Sequence, residues 1–321
     1  MLILALFALA TPAAAQLVEI GKAPKSDKST KTRELRVLRL GLVAPVRREA
    51  ALARVEPFRA HLAGSLDTSV TVQTFDDENA LIAALVAGRV DYAPLSALGF
   101  AVASRRCGCV EPLAAPRAAD RAPGWHAVVL GRPGAAPAKV GELAGLKLAI
   151  TEGDTIGTRR LPLMLLSRLG LVGDKAPVLV ETAGPQEAMT ALIEGRVDAA
   201  VVWSSLDGDP QEGWSRGTPA EMVAAGLAKP SDYRVVWSSP VLPLGPHTVR
   251  TALDEATKRR LRELLIQLDT DPELYEAIER ENGGGFVRVG TPAYRPFIDL
   301  LAPDDAGSDK PQTTGTSPGR G

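Results

Sequence analysis

Two threonines at a helix start are the clearest candidates for chemistry in this chain. Thr155 and Thr158 bracket the turn after an apolar strand, Leu146 to Thr151, with Arg159 and Arg160 just inside the helix that follows. A helix start offers N–H groups without intrahelical acceptors and the positive end of the helix dipole, so hydroxyls there can join the backbone in gripping an anion. The corresponding turn earlier in the chain carries Arg47 and Arg48, which would let two turns clamp an anion between them. A plainer reading makes the arginines solvated side chains and Thr155 an N-cap. Asn79 and Gln186 stand at equivalent helix starts, where a primary amide can donate and accept, although ordinary helix-start chemistry would explain them equally. Ser96, Ser204 and Ser205 follow two short apolar strands and could offer hydroxyls to a ligand. Glu78, Glu152 and Asp154 bring negative charge to the same helix starts, which suits a zwitterionic or cationic ligand, or side chains that face away.

Other reactive residue types are sparse. Cys107 and Cys109 form a Cys-Gly-Cys triplet, read as a surface turn with a removable bridge, since two thiolates alone make an incomplete metal site. His61, His126 and His247 are dispersed, and no nucleophile lies beside a base in any familiar spacing. Gly283-Gly284-Gly285 lacks the preceding strand and following helix of a nucleotide loop and reads as a turn. Trp125, Trp203 and Trp237 fall on strand candidates, where core or hinge packing is the ordinary role. No catalytic residue, metal or cofactor is expected.

These residues are positioned by a duplicated unit. Ala84-Leu-Val-Ala-Gly88-Arg-Val-Asp91-Tyr-Ala93 returns as Ala191-Leu-Ile-Glu-Gly195-Arg-Val-Asp198-Ala-Ala200, identical at seven of ten positions. Each copy has helical periodicity, a glycine where a helix stops in the left-handed conformation, and then a short apolar strand. Upstream, Val70 to Thr74 pairs with Val178 to Thr182, and Leu38 to Val43 pairs with Leu146 to Thr151, at nearly the same offset. Two strand–helix–strand halves follow, each expected to build a parallel-rich sheet covered by helices. In such sheets ligands sit at the carboxyl ends of the strands, so with two halves the natural site is the cleft between them.

At 321 residues the chain exceeds the usual limit of one hydrophobic core, and 45% hydrophobic content is ample for burial. A formal charge of −1, from Lys+Arg 37 and Asp+Glu 38, argues against a dedicated nucleic-acid binder. Residues 1–15 read as a cleaved export signal: an apolar run too short to cross a bilayer, closed by Ala13-Ala14-Ala15. A polar tether is expected at 16–34, lobe 1 at 35–128 plus 240–301, lobe 2 at 129–239, and a disordered tail rich in Pro, Gly, Ser, Thr and Asp at 302–321. Trp125 to Arg132 and Trp237 to Leu244 lie at the boundaries of the second half and are the candidate crossing strands of a hinge.

Five blocks carry a resemblance: Leu40-Gly41-Leu42-Val43-Ala44-Pro45, Gly88 to Asp91, Lys139 to Ile150, Gly195 to Asp198, and Ser238-Ser239-Pro240-Val241-Leu242-Pro243-Leu244-Gly245-Pro246. In order and spacing, from about Leu38 to Leu301, they resemble the phosphate/phosphite/phosphonate-type periplasmic solute-binding proteins of ABC transporters. The resemblance implies an α/β, two-lobed periplasmic-binding-protein-like (type II) fold with two crossing hinge strands. It further implies an exported monomer that closes on a small ligand, with an anion favoured, and works with an ABC permease in the membrane. The family's Ser-Thr-Ser-Gly turn falls on Thr155-Ile156-Gly157-Thr158, its first-lobe aromatic on Glu78, its second-lobe histidine on Gln186 and its tyrosine on Phe100. These positions, with Asn79, Ser96 and Ser204 from the reading of the residues above, make a candidate ligand set of Thr155, Ile156, Gly157, Thr158, Gln186, Glu78, Asn79, Ser96, Phe100 and Ser204. Two other outputs share the scaffold: a periplasmic sensor presenting its closed state to a membrane receptor, and an enzyme, which the missing acid, base and nucleophile set disfavours.

Overall fold

The structure, a computed structural model, describes residues 37–279 and 283–301. The expected signal, tether and tail, and Leu35 and Arg36 at the start of the first strand, lie outside the described residues. The first half runs β1 (Val37–Val43), α1 (Arg48–Leu66), β2 (Ser69–Phe75), α2 (Glu78–Val86), β3 (Tyr92–Pro94), α3 (Ala97–Cys107) and β4 (Val110–Pro116). The second half contributes β5 (His126–Gly131), β6 (Lys147–Thr151), a π-helical turn (Ile156–Arg160) leading into α4 (Leu161–Arg168), β7 (Val178–Thr182), α5 (Pro185–Ile193), β8 (Ala199–Ser204), α6 (Thr218–Ala224) and β9 (Arg234–Ser238). The chain then returns to the first sheet with β10 (His247–Arg250), α7 (Glu255–Gln267), α8 (Pro272–Ile278), β11 (Phe286–Arg288) and α9 (Arg295–Leu300).

Both sheets repeat one order. The first reads β2-β1-β3-β10-β4-β11 and the second β7-β6-β8-β5-β9. In each, three strands of the duplicated unit lie parallel: β1 between β2 and β3, and β6 between β7 and β8. The strand beside them, β10 or β5, runs the other way. The sheets are therefore less uniformly parallel than their strand–helix alternation suggests, and the reason is topological. A strand arriving from the other half enters at the end where the parallel strands finish, so it must run against them.

The repeated Gly-Arg-Val-Asp is a structural staple in both halves. Gly88 and Gly195 have φ of 72° and 76°, the left-handed conformation that stops α2 and α5. Asp91 N then donates to Arg39 O and Asp198 N to Lys147 O, both at 2.9 Å. Each carboxylate also accepts a backbone N–H from the neighbouring first strand: Arg39 N to Asp91 Oδ2 at 3.0 Å and Lys147 N to Asp198 Oδ2 at 2.8 Å. An arginine from the reversed strand or its end lies against each glycine, Arg250 in one half and Arg132 in the other, and Arg132 donates to Val197 O at 2.8 Å. The motif thus ties three strands together.

Helices cover both faces of each sheet. On the first, Leu38, Leu40, Phe58 and Leu265 form one core, while Leu81, Leu85, Phe100 and Phe297 form another. On the second, neighbouring residues divide by alternation: Val128 and Leu130 join Met189 and Leu192 on one face, and Val129 joins Leu148 and Leu166 on the other. Strands buried on both faces read as continuous apolar runs, which is how β5 and β8 appear in the sequence.

Cys107 and Cys109 are joined by a disulfide between the end of α3 and the start of β4. Among the described residues no helix is long and apolar enough to cross a membrane.

Candidate functional site

The chain passes between the sheets at 117–125 and again at 239–246, and the two passages are laced together. Trp125 N donates to Leu242 O at 3.0 Å and Leu242 N to Trp125 O at 2.7 Å. Ser239 N donates to Ala127 O at 2.8 Å, and Ala127 N to Ser239 Oγ at 3.1 Å. The whole of β5 pairs in the second sheet, so residues 126–128 belong with that half and the passage lies slightly earlier than the 128/129 division.

The crossings define where the site is. Leu95, just past β3, donates its N–H to Pro246 O at the end of one crossing, and Ser204, the last residue of β8, pairs with His126 at the end of the other. The carboxyl ends of both parallel strand sets therefore meet at the crossings, where helix starts from the two halves converge.

From the second half, the turn after β6 reaches this point. Its first helical bond is Arg160 N to Thr155 O at 2.9 Å, so the N–H groups of residues 156–159 precede the helical ladder. Thr155 Oγ1 and Thr158 Oγ1 are 2.8 Å apart; Thr155 is exposed and Thr158 buried. Gly157 lies directly on the ring of Trp125, and any side chain there would overlap the indole. This glycine has a close-approach role, pressing the turn onto the crossing strand. The chemistry available is that of a helix start with two hydroxyls, suited to an oxyanion.

The neighbouring arginines are committed elsewhere. Arg159 donates to Thr151 O at 3.2 Å and to Glu181 at 2.8 Å. Arg160 donates to Leu300 O at 3.3 Å and lies 3.5 Å from Asp154, while Arg48 pairs with Asp76. None of these three is held in the two-turn clamp that the sequence suggested. Through Arg160, through Leu161, which belongs to the same core cluster as Phe100 and Tyr294, and through the 2.8 Å Arg168–Asp299 pair at its far end, α4 rests on the first half along its length.

The remaining residues of the expected set divide. Glu78 and Ser96 are brought together at the start of α3, with Asn79 exposed beside them. Ile156 is partly buried against the first-half core. Gln186 is exposed at the start of α5 and donates to Glu221 at 2.8 Å. Phe100 is fully buried, its ring 4.9 Å from that of Tyr294, so it serves the core and not a ligand surface. Ser204 is also fully buried; its Oγ accepts from Leu206 N at 3.1 Å and so shapes the loop after β8.

Several contributors had no sequence signal. Tyr294 reaches from the C-terminal region to donate to Leu244 O at 2.8 Å in a crossing, and burial pushes its phenol well above the usual range. Asp120, in the other crossing, accepts from Ser215 Oγ at 2.7 Å and lies 3.4 Å from Arg216. The Trp125–Gly157 contact was legible only as a glycine in a turn and a tryptophan on a hinge candidate. Among the described residues no group of three or more His, Cys, Asp or Glu side chains could hold a metal ion.

Residues 41–294 match the profile of a family described as ABC transporter, phosphonate, periplasmic substrate-binding protein. Among solved structures, a Xanthomonas citri protein bound to ATP superposes with a TM-score of 0.50 at 19% identity, over 82% of this chain and 95% of the other. Transferrin 1 from Manduca sexta gives 0.54 at 14% identity, over 83% of this chain and 45% of its own. PhnD1 from Prochlorococcus marinus, in complex with methylphosphonate, gives 0.42 at 14%, over 83% and 97%. At these identities the likeness to solved structures is one of fold.

Proposed function

Because the chain belongs to the periplasmic substrate-binding proteins of phosphonate ABC transporters, we propose that it acts as a monomer that closes its two α/β halves around a small oxyanion and offers the closed form to a membrane permease. The family supplies the transport role; the geometry of the site supports the choice of ligand and of the residues that would hold it. The observation that carries the reading is the turn from Thr155 to Arg159, whose N–H groups precede the helical ladder and whose two hydroxyls sit where both sheets end at the crossings. An oxyanion there would accept from the backbone N–H groups of 156–159 and from Thr155 and Thr158, with the helix dipole adding to the attraction. Closure would bend the laced pair of crossings, and a ligand touching both halves would favour the closed state by as much as it binds that state better.

The test is a thermal-shift panel of phosphate, phosphite, methylphosphonate, other oxyanions, amino acids and organic acids on the wild type and on Thr155→Ala/Thr158→Ala. A ligand at 100 times its dissociation constant stabilises the wild type by about 2.7 kcal/mol. An oxyanion should raise the melting temperature of the wild type, and the double variant should lose that shift. Binding that survives in the double variant would move the ligand away from this turn.

A further inference from the structure

In the first half, the start of the helix that follows β3 is occupied by the protein's own carboxylate. Helix α3 begins at the carboxyl end of β3, beside the crossing, and Ser96 is its N-cap, accepting from Gly99 N at 2.9 Å. Glu78, in the first turn of α2, lays its carboxylate over this start: Oε1 accepts from Ser96 N at 2.6 Å and Oε2 from Ser96 Oγ at 2.8 Å. One backbone N–H and one hydroxyl, each to a separate oxygen, is how a helix start holds a free oxyanion. Gly99 makes the fit possible, because an added Cβ would stand 2.5 Å from Glu78 Cδ and Oε1. Asp77 caps α2 through Ala80 N at 2.8 Å, so Glu78 is not needed as the cap of its own helix. At the adjoining turn before α1, Arg48 is paired with Asp76.

We infer that Glu78 is a tethered anion holding the first-half oxyanion seat, and that it sets ligand selectivity by excluding dianionic oxyanions from contact with α3. A tethered group competes at a high effective concentration with any dissolved anion, and like charges a few ångströms apart repel. The oxyanion grip is left to the Thr155 turn across the cleft, while the first half presents a carboxylate. The inference rests on the reading that this cleft binds oxyanions.

Isothermal titration of the full chain with inorganic phosphate and with methylphosphonate at pH 8, on the wild type, Glu78→Ala and Glu78→Gln, tests it. Removing the charge should tighten phosphate binding at least tenfold in both variants, whether or not the wild type binds detectably. If the wild type binds either probe and both variants bind no tighter, Glu78 does not guard the seat and the inference fails while the oxyanion reading stands. If none of the three proteins binds either probe, the inference fails, and the oxyanion reading is decided by the remaining oxyanions of the thermal-shift panel. Should Glu78→Ala not fold, Glu78→Gln, which keeps the side-chain volume, decides the question alone.

Discussion

Acidification from pH 7.5 to 5.0 should cost this protein about 2 kcal/mol of folding stability through a single side chain, His247. It lies on β10 just past the second crossing, fully buried, with Nδ1 facing the hydroxyl of Tyr92 at 2.5 Å and the edge of Phe286 packed 4.8 Å away. Its Nε2 has no hydrogen-bond partner. Burial disfavours the charged ring and lowers its pKa from 6.5 to about 3. Between those values the unfolded chain takes up a proton that the folded protein refuses, so stability is full above pH 6.5 and is lost as the pH falls. At pH 5.0 the solution stands about 1.5 units below the unfolded pKa, and at about 1.36 kcal/mol per unit the loss is about 2 kcal/mol. The assay is urea unfolding at both pH values for the wild type and for Tyr92→Phe/His247→Phe. Changing both residues removes the titrating ring without orphaning a buried hydroxyl. The wild type should lose about 2 kcal/mol more than the double variant on acidification; equal losses would refute the assignment.

Gly157→Ala should lower stability by about 1–3 kcal/mol, because the methyl group runs into the Trp125 ring, and should weaken oxyanion binding by displacing the turn. Unchanged melting and unchanged titration would remove this contact from the site. The two staples should differ in weight. Asp91 accepts from Arg39 N, Nε and Nη2 at 3.0, 2.7 and 2.6 Å, whereas Asp198 accepts from Lys147 N at 2.8 Å and meets Arg132 only at 3.9 Å. Asp91→Ala should therefore destabilise by about 2–3 kcal/mol and Asp198→Ala by about 1 kcal/mol in denaturant titrations. Equal losses would mean that the shared backbone bond, and not the Arg39 pairing, carries the motif.

The duplicated architecture was legible because its signals are local. A left-handed glycine after a helix and an apolar run after it are written in adjacent residues, and both copies fold alike, down to the carboxylate on the neighbouring strand. Less visible were β10 and β11, of four and three residues, which are strands only because distant parts of the chain pair with them: β3 and β4 flank β10, and β11 adds to the edge of β4. Phe100 looked like a ligand residue by position, but its place three residues into α3 directs it under Tyr294, a contact spanning nearly two hundred positions that no local pattern encodes. Arg159 and Arg160 were ambiguous for a related reason: Glu181 meets Arg159 only once β7 pairs beside β6, and Leu300 O meets Arg160 only once the C-terminal helix returns to the first half. Glu78 was visible as a charge at a helix start. That its partner would be the start of another helix depended on Gly99, whose significance is the volume it leaves free.

Trp125 joins two roles that are usually separate, pairing with Leu242 across the crossing strands while its ring lies on Gly157 of the turn after β6. An indole in that position is an intrinsic optical gauge. Motion of the crossings and occupancy of the turn would both alter the surroundings of one chromophore, so its emission should change as the halves close, without any attached dye. With Trp203, Trp214 and Trp237 each replaced by phenylalanine, the protein would report its own ligand in a fluorimeter.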